Sequence, residues 1–240
     1  MEGYVHSIET FGATDGPGIR FILFLQGCNL RCSYCHNRDS WTPRCGTKMN
    51  VENIVKQVLR YKEFHISSGG GITVSGGEPL IQIGFLIELF KACKKAGIHT
   101  ALDTSGHFKI TEKTLPLLKE LLCVTDLVLL DIKLMDSERH LELVGVGNEV
   151  ILDFGRFLSK NSIPLWIRHV LVPEITNKEG DLEALRDYIE ELESVERVEI
   201  LPYHSMGELK WNELGYFYPL KGQKVPTEEE ILEAEKILKI

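Results

Sequence analysis

Short apolar runs alternate along the chain with segments in which apolar residues recur every three or four positions. The runs are typical of buried strands, and the recurrent spacing is typical of amphipathic helices. A last helix is predicted from Thr227 to about Lys239, because Thr227 and Glu230 form a capping box after Pro226. The predicted strands occupy residues 19–25, 72–75, 99–103, 127–132, 165–172 and 197–201. The other predicted helices occupy residues 51–64, 85–96, 112–122, 149–158 and 181–192.

The alternation of strand and helix predicts βαβ units and an α/β fold with mostly parallel strands. Such a sheet is either open and doubly wound or a full or partial barrel. Polar residues follow nearly every predicted strand at its carboxyl end, and barrel sites are assembled from several strand ends in this way. A doubly wound site would concentrate at one switch point. The sequence therefore favours a barrel, and a partial one, because eight units close a standard barrel. The residues concerned are those from Cys28 to His36, Gly76, Gly77, Glu78, Thr104, Lys133 and His204.

Composition and charge are those of an ordinary globular protein. Of the 240 residues, 43% are hydrophobic and 26% are charged, so we expect a single domain over residues 1–240. The formal net charge is −8, and the chain lacks the basic character of a general nucleic-acid binder. The apolar run at 21–25 is too short to span a membrane and follows no basic segment. We therefore expect a cytoplasmic protein whose partners include no nucleic acid and no membrane.

Three of the six cysteines, Cys28, Cys32 and Cys35, lie within eight residues in the spacing C-x3-C-x2-C. In a reducing compartment such a cluster indicates metal or redox chemistry. Structural zinc normally takes four ligands in two separated pairs, and no second pair is present. Cys32 to His36 also matches the C-x-x-C-H pattern of attached haem, whereas a dithiol pair would leave Cys28 unexplained. An iron–sulfur cluster on three thiolates would leave one iron open to a substrate or cofactor. The spacing alone leaves these interpretations open.

Residues 69–79 place a short strand between two glycine clusters. No Gly-Lys-Ser or Gly-Lys-Thr follows, so the segment is not a P-loop. Glycines at a strand end allow a ligand to approach the backbone closely. The alternative is a plain tight turn, with Glu78 as a solvated charge.

Charged residues flank other predicted strands. Asp131 and Lys133 end a very apolar strand, where they either pair with each other or bind a zwitterionic ligand. His204 follows the sixth strand, where a hydrogen-bonded loop histidine is the commoner role. Asp15 begins a glycine-rich turn before the first strand, and a structural charge is its default interpretation. Cys93 lies on an apolar helix face and is expected to be a core residue.

Together these motifs resemble the radical S-adenosylmethionine enzymes and, more closely, the activating enzymes of glycyl-radical lyases of the pyruvate formate-lyase type. The cysteine loop, the later Gly-Gly-Glu-Pro and the alternating strands and helices carry the broader resemblance. Five segments carry the closer one, in family order over nearly the whole chain. They are Asp15-Gly-Pro-Gly-Ile-Arg20, Gln26-Gly-Cys-Asn-Leu-Arg-Cys-Ser-Tyr-Cys-His-Asn37, Asp103-Thr104, Leu130-Asp-Ile-Lys133 and Leu201-Pro-Tyr-His204.

The resemblance implies a partial (β/α)6 barrel of the TIM type and a set of cofactor sites. Cys28, Cys32 and Cys35 look like the ligands of a [4Fe-4S] cluster, whose open iron takes S-adenosyl-L-methionine. Asp15 looks like a contact to the substrate, expected at the barrel mouth, and a monovalent cation near residues 103–104 is a further candidate. The residues implied in cofactor binding are Tyr34, Cys35, His36, Gly76, Gly77, Glu78, Asp103, Thr104, Asp131, Ile132, Lys133 and His204.

The activity implied by the resemblance is reductive cleavage of S-adenosylmethionine and hydrogen abstraction from a glycine of a partner glycyl-radical lyase. Reduced flavodoxin or ferredoxin is the implied electron donor, and a monomer is the expected state. Several similar activases carry a cysteine-rich ferredoxin-like insert after the cluster loop. Here residues 36–75 contain a single cysteine, Cys45. Two alternatives stay open. One is a radical enzyme acting on a small molecule, against which the segment at 15–20 argues, and the other is a zinc-binding module without catalysis.

Overall fold

The computed structural model describes all 240 residues of the chain. They form two compact units, each discontinuous in the sequence. The first unit comprises residues 1–29, 40–104 and 108–129, and the second comprises residues 30–39, 105–107 and 130–240. The predicted single domain over residues 1–240 stays a prediction. None of the helices has the length and apolar character that crossing a membrane requires.

Eight strands form one hydrogen-bonded sheet. They are β1 (Glu2–Gly12), β2 (Arg20–Leu25), β3 (Thr47–Asn50), β4 (Gly71–Gly76), β5 (His99–Thr104), β6 (Leu127–Asp131), β7 (Leu165–Leu171) and β8 (Val195–Pro202). Their order in the sheet is β3-β1-β2-β4-β5-β6-β7-β8. Strand β1 pairs antiparallel with β2 and β3, whereas the β2/β4, β4/β5 and β7/β8 pairs are parallel. The six predicted strands correspond to β2 and β4 to β8, and the predicted α/β fold is confirmed.

Sequence analysis missed the two antiparallel strands β1 and β3. Strand β1 mixes polar and apolar residues throughout and buries few of them, so it contains no continuous apolar run. Strand β3 has four residues, and none of them is buried. The available signal was the number of aromatic and β-branched residues in β1, which are enriched in strands; they are Tyr4, Val5, Ile8, Thr10 and Phe11.

Nine α-helices accompany the sheet. They are α1 (Val51–Leu59), α2 (Lys62–Ser68), α3 (Ile83–Lys95), α4 (Leu115–Leu122), α5 (Ser137–Val144), α6 (Glu149–Lys160), α7 (Glu179–Glu190), α8 (Gly207–Glu213) and α9 (Glu228–Leu238). The predicted helix at 51–64 is two helices, because the N–H groups of Arg60 and Tyr61 donate to carbonyls three residues back and end the first. The predicted capping box is confirmed by reciprocal hydrogen bonds between Thr227 and Glu230. Helices α5 and α8 were not predicted, because both are short and poor in apolar residues.

In the first unit, β2, β4 and β5 lie side by side with their carboxyl ends at one edge. Leu25 is opposite Gly76 at this edge, and Arg20 is opposite Gly71 at the other. Both β2 and β4 are buried on both faces, as parallel strands covered by helices are. The segments that follow Leu25 and Gly76 therefore begin next to each other, and the segment before Arg20 lies at the opposite edge.

In the second unit, β7 and β8 run parallel, with Leu171 opposite Pro202 at their carboxyl ends. Helix α6 packs closely against α7, where the Tyr188 hydroxyl donates to the Leu152 carbonyl at 2.9 Å. This contact needs a glycine, because a Cβ at Gly155 would lie 2.1 Å from the Tyr188 hydroxyl oxygen. The chain leaves β8 at its carboxyl end and continues into α8.

Candidate functional site

Two glycines at the carboxyl end of β4 lie against the backbone that leads into the cysteine loop. Gly76 has a φ of +122°, and a Cβ there would lie 2.3 Å from backbone atoms of Leu25. A Cβ at Gly77 would lie 2.2 Å from the Gly27 carbonyl oxygen. The Glu78 N–H donates to the same oxygen at 2.8 Å. Close approach to the glycine backbone is therefore present, but the approaching group is the chain itself.

Glu78 is 1% exposed. Its Oε1 accepts hydrogen bonds from Thr104 Oγ1 at 2.6 Å and from the Leu80 N–H at 3.0 Å. The alternative that Glu78 is a solvated charge is therefore wrong. A second carboxylate is held in the same way, since Asp103 Oδ2 accepts from Ser75 Oγ at 2.6 Å. The structure thus brings two carboxylates together with two hydroxyls at the ends of β4 and β5.

The first unit contains four cysteines that differ in environment. Cys28 is partly exposed, and its N–H donates to the Trp41 carbonyl at 3.1 Å. Cys93 is fully buried, and desolvation raises the pKa of its thiol to about 12, so it is a protonated core residue as predicted. Cys45 and Cys123 are exposed. Only Cys28 of these four belongs to the C-x3-C-x2-C loop.

The segment with Asp15 lies at the amino ends of the strands. Thr73 Oγ1 donates to the Asp15 carbonyl at 2.6 Å and accepts from Arg20 Nε at 2.9 Å. Arg20 also donates to the Ile72 carbonyl, and desolvation by burial lowers the pKa of its guanidinium to about 10. The strand register places Arg20 opposite Gly71, the first residue of β4, so the Asp15 segment leads into the amino end of β2. The expected contact of Asp15 with the substrate stays a prediction.

In the second unit, Asp131 and Lys133 pair with each other, with Lys133 Nζ 3.1 Å from Asp131 Oδ2. Lys133 is 7% exposed, and its Nζ lies 5.7 Å from the ring centroid of Tyr34. Burial acts to lower the pKa of Lys133, but the Asp131 carboxylate overcomes it and raises the pKa well above its usual value. The Tyr34 hydroxyl is buried without a hydrogen-bond partner, and burial raises its pKa. The pairing alternative is confirmed, and it leaves an unsatisfied hydroxyl near a buried cation.

The rings of His36 and His204 are in contact, with centroids 4.1 Å apart and planes tilted by 36°. His36 Nε2 lies 3.1 Å from the His204 carbonyl oxygen, so a neutral ring protonated at Nε2 donates to it. Burial lowers the pKa of His36, while the hydrogen bond to this carbonyl opposes the shift. The structure therefore brings His204 to the cysteine loop as the partner of His36.

Helix α8 lies directly against the same loop. Trp211 Nε1 donates to the Cys35 carbonyl at 2.8 Å. Lys210 Nζ donates to Asn37 Oδ1 at 3.1 Å and pairs with Asp39 at 3.2 Å. Sequence reasoning missed Trp211, because α8 itself was not predicted and the contact joins residues 176 positions apart.

Two ionisable residues inside β7 were also missed. Arg168 is 9% exposed, and its Nε lies 3.9 Å from Glu199 Oε2 on β8. His169 is buried, with Nδ1 2.9 Å from the Ile132 carbonyl and Nε2 3.2 Å from the Thr176 carbonyl. Ionisable residues are seldom buried without partners, so an Arg-His pair within an apolar strand was the available signal.

The cysteine loop supplies the donor set of an iron–sulfur centre. Cys28, Cys32 and Cys35 form no disulfide, and thiolates are the ligands that such clusters take from proteins. No three His, Cys, Asp or Glu side chains form a ready group around a single metal ion, so the fit rests on the donor set. The buried, unsatisfied Tyr34 hydroxyl is a polar group that needs a partner. The chemistry of the three cysteines therefore suits an iron–sulfur cluster.

Comparisons with known proteins assign the family. Residues 22–189 match the model of the radical SAM superfamily. The chain is 49% identical to the pyruvate formate-lyase-activating enzyme of Listeria monocytogenes, over 98% of this chain and 96% of that protein. It is 45% identical to the pyruvate formate-lyase 1-activating enzyme of Escherichia coli, over 98% of this chain and 95% of that protein.

A solved structure supports the same assignment. A domain of the pyruvate-formate lyase-activating enzyme from Bacteroides vulgatus aligns with a TM-score of 0.58 and 29% identity, over 71% of this chain and 93% of that domain. The expected fold class, that of the partial (β/α)6 barrels, is confirmed by these relatives. The chain belongs to the radical SAM superfamily and, within it, to the family of the pyruvate formate-lyase-activating enzymes.

Proposed function

We propose that this chain activates a glycyl-radical lyase, pyruvate formate-lyase, by generating a radical on one of its glycines. The observation that carries the proposal is the C-x3-C-x2-C loop, whose cysteines form no disulfide, in a chain 49% identical to a pyruvate formate-lyase-activating enzyme. The superfamily implies a [4Fe-4S] cluster and S-adenosylmethionine. When both are bound, one electron breaks the S–C5′ bond to give methionine and a 5′-deoxyadenosyl radical, which takes a hydrogen atom from the glycine Cα.

Cys28, Cys32 and Cys35 hold the cluster in this proposal. Hydrogen bonds tie the backbone of the loop near its two ends. The Cys28 N–H donates to the Trp41 carbonyl, and the Cys35 carbonyl accepts from Trp211 Nε1. A loop that is tied in this way loses little conformational entropy when its thiolates bind metal.

The proposed contacts to S-adenosylmethionine offer groups of both charges. Lys133 and Asp131 form a buried ion pair, and a zwitterionic methionyl group can bind to both members. The Glu78 N–H bond to the Gly27 carbonyl fixes the backbone edge proposed to receive the methionyl amino group. The unsatisfied Tyr34 hydroxyl can donate a hydrogen bond to a bound molecule. The proposed contacts are Tyr34, Cys35, His36, Gly76, Gly77, Glu78, Asp103, Thr104, Asp131, Ile132, Lys133 and His204.

Asp15 is proposed as a contact to the protein substrate. Its carbonyl is bound by Thr73, which precedes Ser75 by two residues on the same face of β4. Two residues rise roughly 7 Å along a strand. Asp15 therefore lies about one layer of side chains closer to the amino ends of the strands than the Ser75–Asp103 pair. There it can hold a peptide that enters from the amino ends of the strands.

The electron donor, the oligomeric state, the location and a bound cation are also proposed. Reduced flavodoxin or ferredoxin donates the electron, and the chain acts as a monomer in the cytoplasm. Asp103 and Thr104 are proposed to lie near a monovalent cation, because carboxylate and hydroxyl oxygens suit a hard cation.

Two cysteine variants test the metal assignment of the reconstituted protein. Cys32→Ala is expected to abolish cluster assembly, whereas Cys45→Ala, an exposed cysteine outside the loop, is expected to keep about four irons per chain. Iron and sulfide analysis measures the cluster, and the formation of 5′-deoxyadenosine with dithionite measures cleavage. Loss of the cluster in Cys45→Ala would show that the ligand assignment is wrong. No 5′-deoxyadenosine from the wild-type protein would overturn the proposed function.

A further inference from the structure

Helix α8 meets the cysteine loop in close contact along one face. A Cβ at Gly207, the first residue of α8, would lie 2.8 Å from His36 Cδ2 and 3.0 Å from the Cys35 carbonyl oxygen. Trp211 Nε1 donates a hydrogen bond to the same carbonyl oxygen at 2.8 Å. Gly207 and Trp211 are four positions apart, so they lie on the same face of the helix. This face therefore packs on the backbone of the loop at Cys35.

The carbonyl that Trp211 binds belongs to the peptide group between Cys35 and His36. A peptide group is planar and rigid, so a hydrogen bond to its oxygen also restrains the Cα atoms on both sides. Cys35 is a proposed ligand of the cluster, and His36 is a proposed contact to S-adenosylmethionine. One hydrogen bond from Trp211 therefore restrains the backbone from which two proposed functional side chains leave.

The same segment of the loop is held from the other side by α5. The N–H groups of Arg31 and Ser33 donate to the carbonyls of Val144 and Leu143, at 2.8 and 2.9 Å. These carbonyls belong to the last turn of α5, where they have no partner within the helix. Both bonds join backbone groups. The bond to the Cys35 carbonyl comes from a side chain, so a substitution can remove it.

The indole of Trp211 is itself held in place. Trp211 is 6% exposed, and its ring centroid lies 5.7 Å from that of Tyr218 in an edge-to-face arrangement. The Tyr218 hydroxyl in turn lies 3.0 Å from the hydroxyl of the buried Tyr203. Aromatic rings packed in this way have few alternative orientations. The Trp211 N–H is therefore preorganised toward the Cys35 carbonyl.

We propose that Trp211 is a positioning residue, which sets the peptide group between Cys35 and His36 and thereby both the third cluster ligand and a contact to the cofactor. Trp211 acts only through this peptide group. Groups that hold a metal ligand in place without touching the metal typically change metal affinity by roughly 10- to 100-fold. The inference rests on the proposed function, because that function gives Cys35 and His36 their roles.

The first test compares Trp211→Phe with the matched control Tyr188→Phe in the full-length protein. Trp211→Phe keeps an aromatic ring and removes the N–H donor. Tyr188 is 2% exposed on α7 and donates to the Leu152 carbonyl at 2.9 Å. Tyr188→Phe therefore removes a similar bond from an aromatic side chain to a backbone carbonyl, but away from the loop.

A second pair of variants tests the contact without changing Trp211. Gly207→Ala places a methyl group against His36 and the Cys35 carbonyl, so the helix has to move away from the loop. Gly180→Ala is its control, because a Cβ there meets nothing within 4 Å. Both glycines lie in the first turn of a helix of the second unit.

Three measurements report on the loop, and a fourth reports on the whole fold. Hydrogen exchange of the backbone amides of residues 30–39 is measured before reconstitution, without any cluster. After reconstitution, the rate of iron release to a chelator and the calorimetric affinity for S-adenosylmethionine are measured. Urea midpoints compare the global stability of the variants.

We expect exchange in residues 30–39 to be about fivefold faster in Trp211→Phe, as the loss of one hydrogen bond implies. Iron release should be about tenfold faster, and S-adenosylmethionine should bind more weakly. Gly207→Ala should change the three measurements in the same direction. Tyr188→Phe should lower the urea midpoint as Trp211→Phe does, but both controls should match the wild type in the three measurements on the loop.

Wild-type exchange and iron release in Trp211→Phe, or in Gly207→Ala, would overturn the proposal. Equal changes in Tyr188→Phe would also overturn it, because they would follow from lost stability and not from the position of Cys35. A different result would count against the proposed function alone. It is faster exchange of residues 30–39 in Trp211→Phe, together with a reconstituted wild-type protein that contains no iron.

Discussion

The two ends of β4 bury polar groups to a similar degree but surround them differently. At the amino end, Arg20, Thr73 and the Asp15 backbone satisfy one another. At the carboxyl end, Glu78 and Thr104 also satisfy each other, but glycine backbone and the cysteine loop lie beside them. The comparison teaches that buried polarity alone does not identify a site. The carboxyl end has the groups proposed to bind a cofactor, and the amino end mainly holds the first unit together.

The largest effect is expected at the amino end, for Arg20→Met. The variant removes hydrogen bonds to Thr73 Oγ1 and the Ile72 carbonyl within a buried cluster. We expect the free energy of unfolding to fall by about 3 kcal/mol, because buried acceptors lose their partner. Urea denaturation measures it, with the exposed Arg60→Met as a control that changes stability little. Equal stability of Arg20→Met and wild type would show that the amino end is not structural.

At the carboxyl end, Gly77→Ala should impair cofactor binding. Its Cβ would lie 2.2 Å from the Gly27 carbonyl, so the root of the cysteine loop has to move. We expect about tenfold weaker S-adenosylmethionine binding and a lower iron content, the result of overpacking. Calorimetry and iron analysis are the measurements. Gly180→Ala is the control, since a Cβ there meets nothing within 4 Å. Normal affinity of Gly77→Ala for S-adenosylmethionine would show that the carboxyl end of β4 is not part of the cofactor site.

Asp15→Ala tests whether the amino end also serves the substrate. We expect glycyl-radical formation on the lyase to slow about tenfold, as loss of a charged contact does, while S-adenosylmethionine binding stays normal. The exposed Asp153→Ala is the matched control, because its carboxylate is 77% exposed on α6. Electron paramagnetic resonance of the lyase gives the rate. If Asp15→Ala forms the radical at the wild-type rate, Asp15 has no role in substrate binding.

The smallest expected effect is a dependence of stability on pH, and it again concerns the amino end of β4. Burial lowers the pKa of His65, and neither of its ring nitrogens has a hydrogen-bond partner. The unfolded chain binds the proton near pH 6.5 and the folded chain only at lower pH. Stability is therefore full above pH 6.5 and falls as the pH decreases toward the folded-state pKa. His36, His99, His140 and His169 are shifted in the same direction.

Urea midpoints at pH 7.5 and 5.5 measure this dependence. We expect the wild type to be less stable at pH 5.5 and His65→Leu to lose less stability between the two values. The same pH dependence in both proteins would show that His65 does not contribute.

The sequence predicted the parallel strands well, because local patterns determine them. The capping box at Thr227 is local in the same sense. What the sequence did not predict depends on contacts between distant residues. Trp211 meets Cys35 across 176 positions, and Glu78 is buried because Thr104 on the next strand reaches it. The place of Asp15 depends on the strand register, which the motif itself does not contain.

The glycines at the carboxyl end of β4 show the limit of prediction from the sequence most clearly. Their pattern indicated close approach to the backbone, and the structure contains one. Whether the approaching group is a ligand or the chain is decided by the position of Gly27, which spacing within residues 69–79 does not reveal. The same applies to Asp131 and Lys133, whose pairing follows from burial at the end of β6.

Electron paramagnetic resonance of the partner lyase tests the central claim most directly. Reconstituted protein, S-adenosylmethionine and dithionite are incubated anaerobically with a pyruvate formate-lyase. We expect a carbon-centred glycyl radical on the lyase, which is absent when the protein carries Cys32→Ala and absent when the target glycine of the lyase is replaced by alanine. Formation of 5′-deoxyadenosine without any radical on the lyase would contradict the claim.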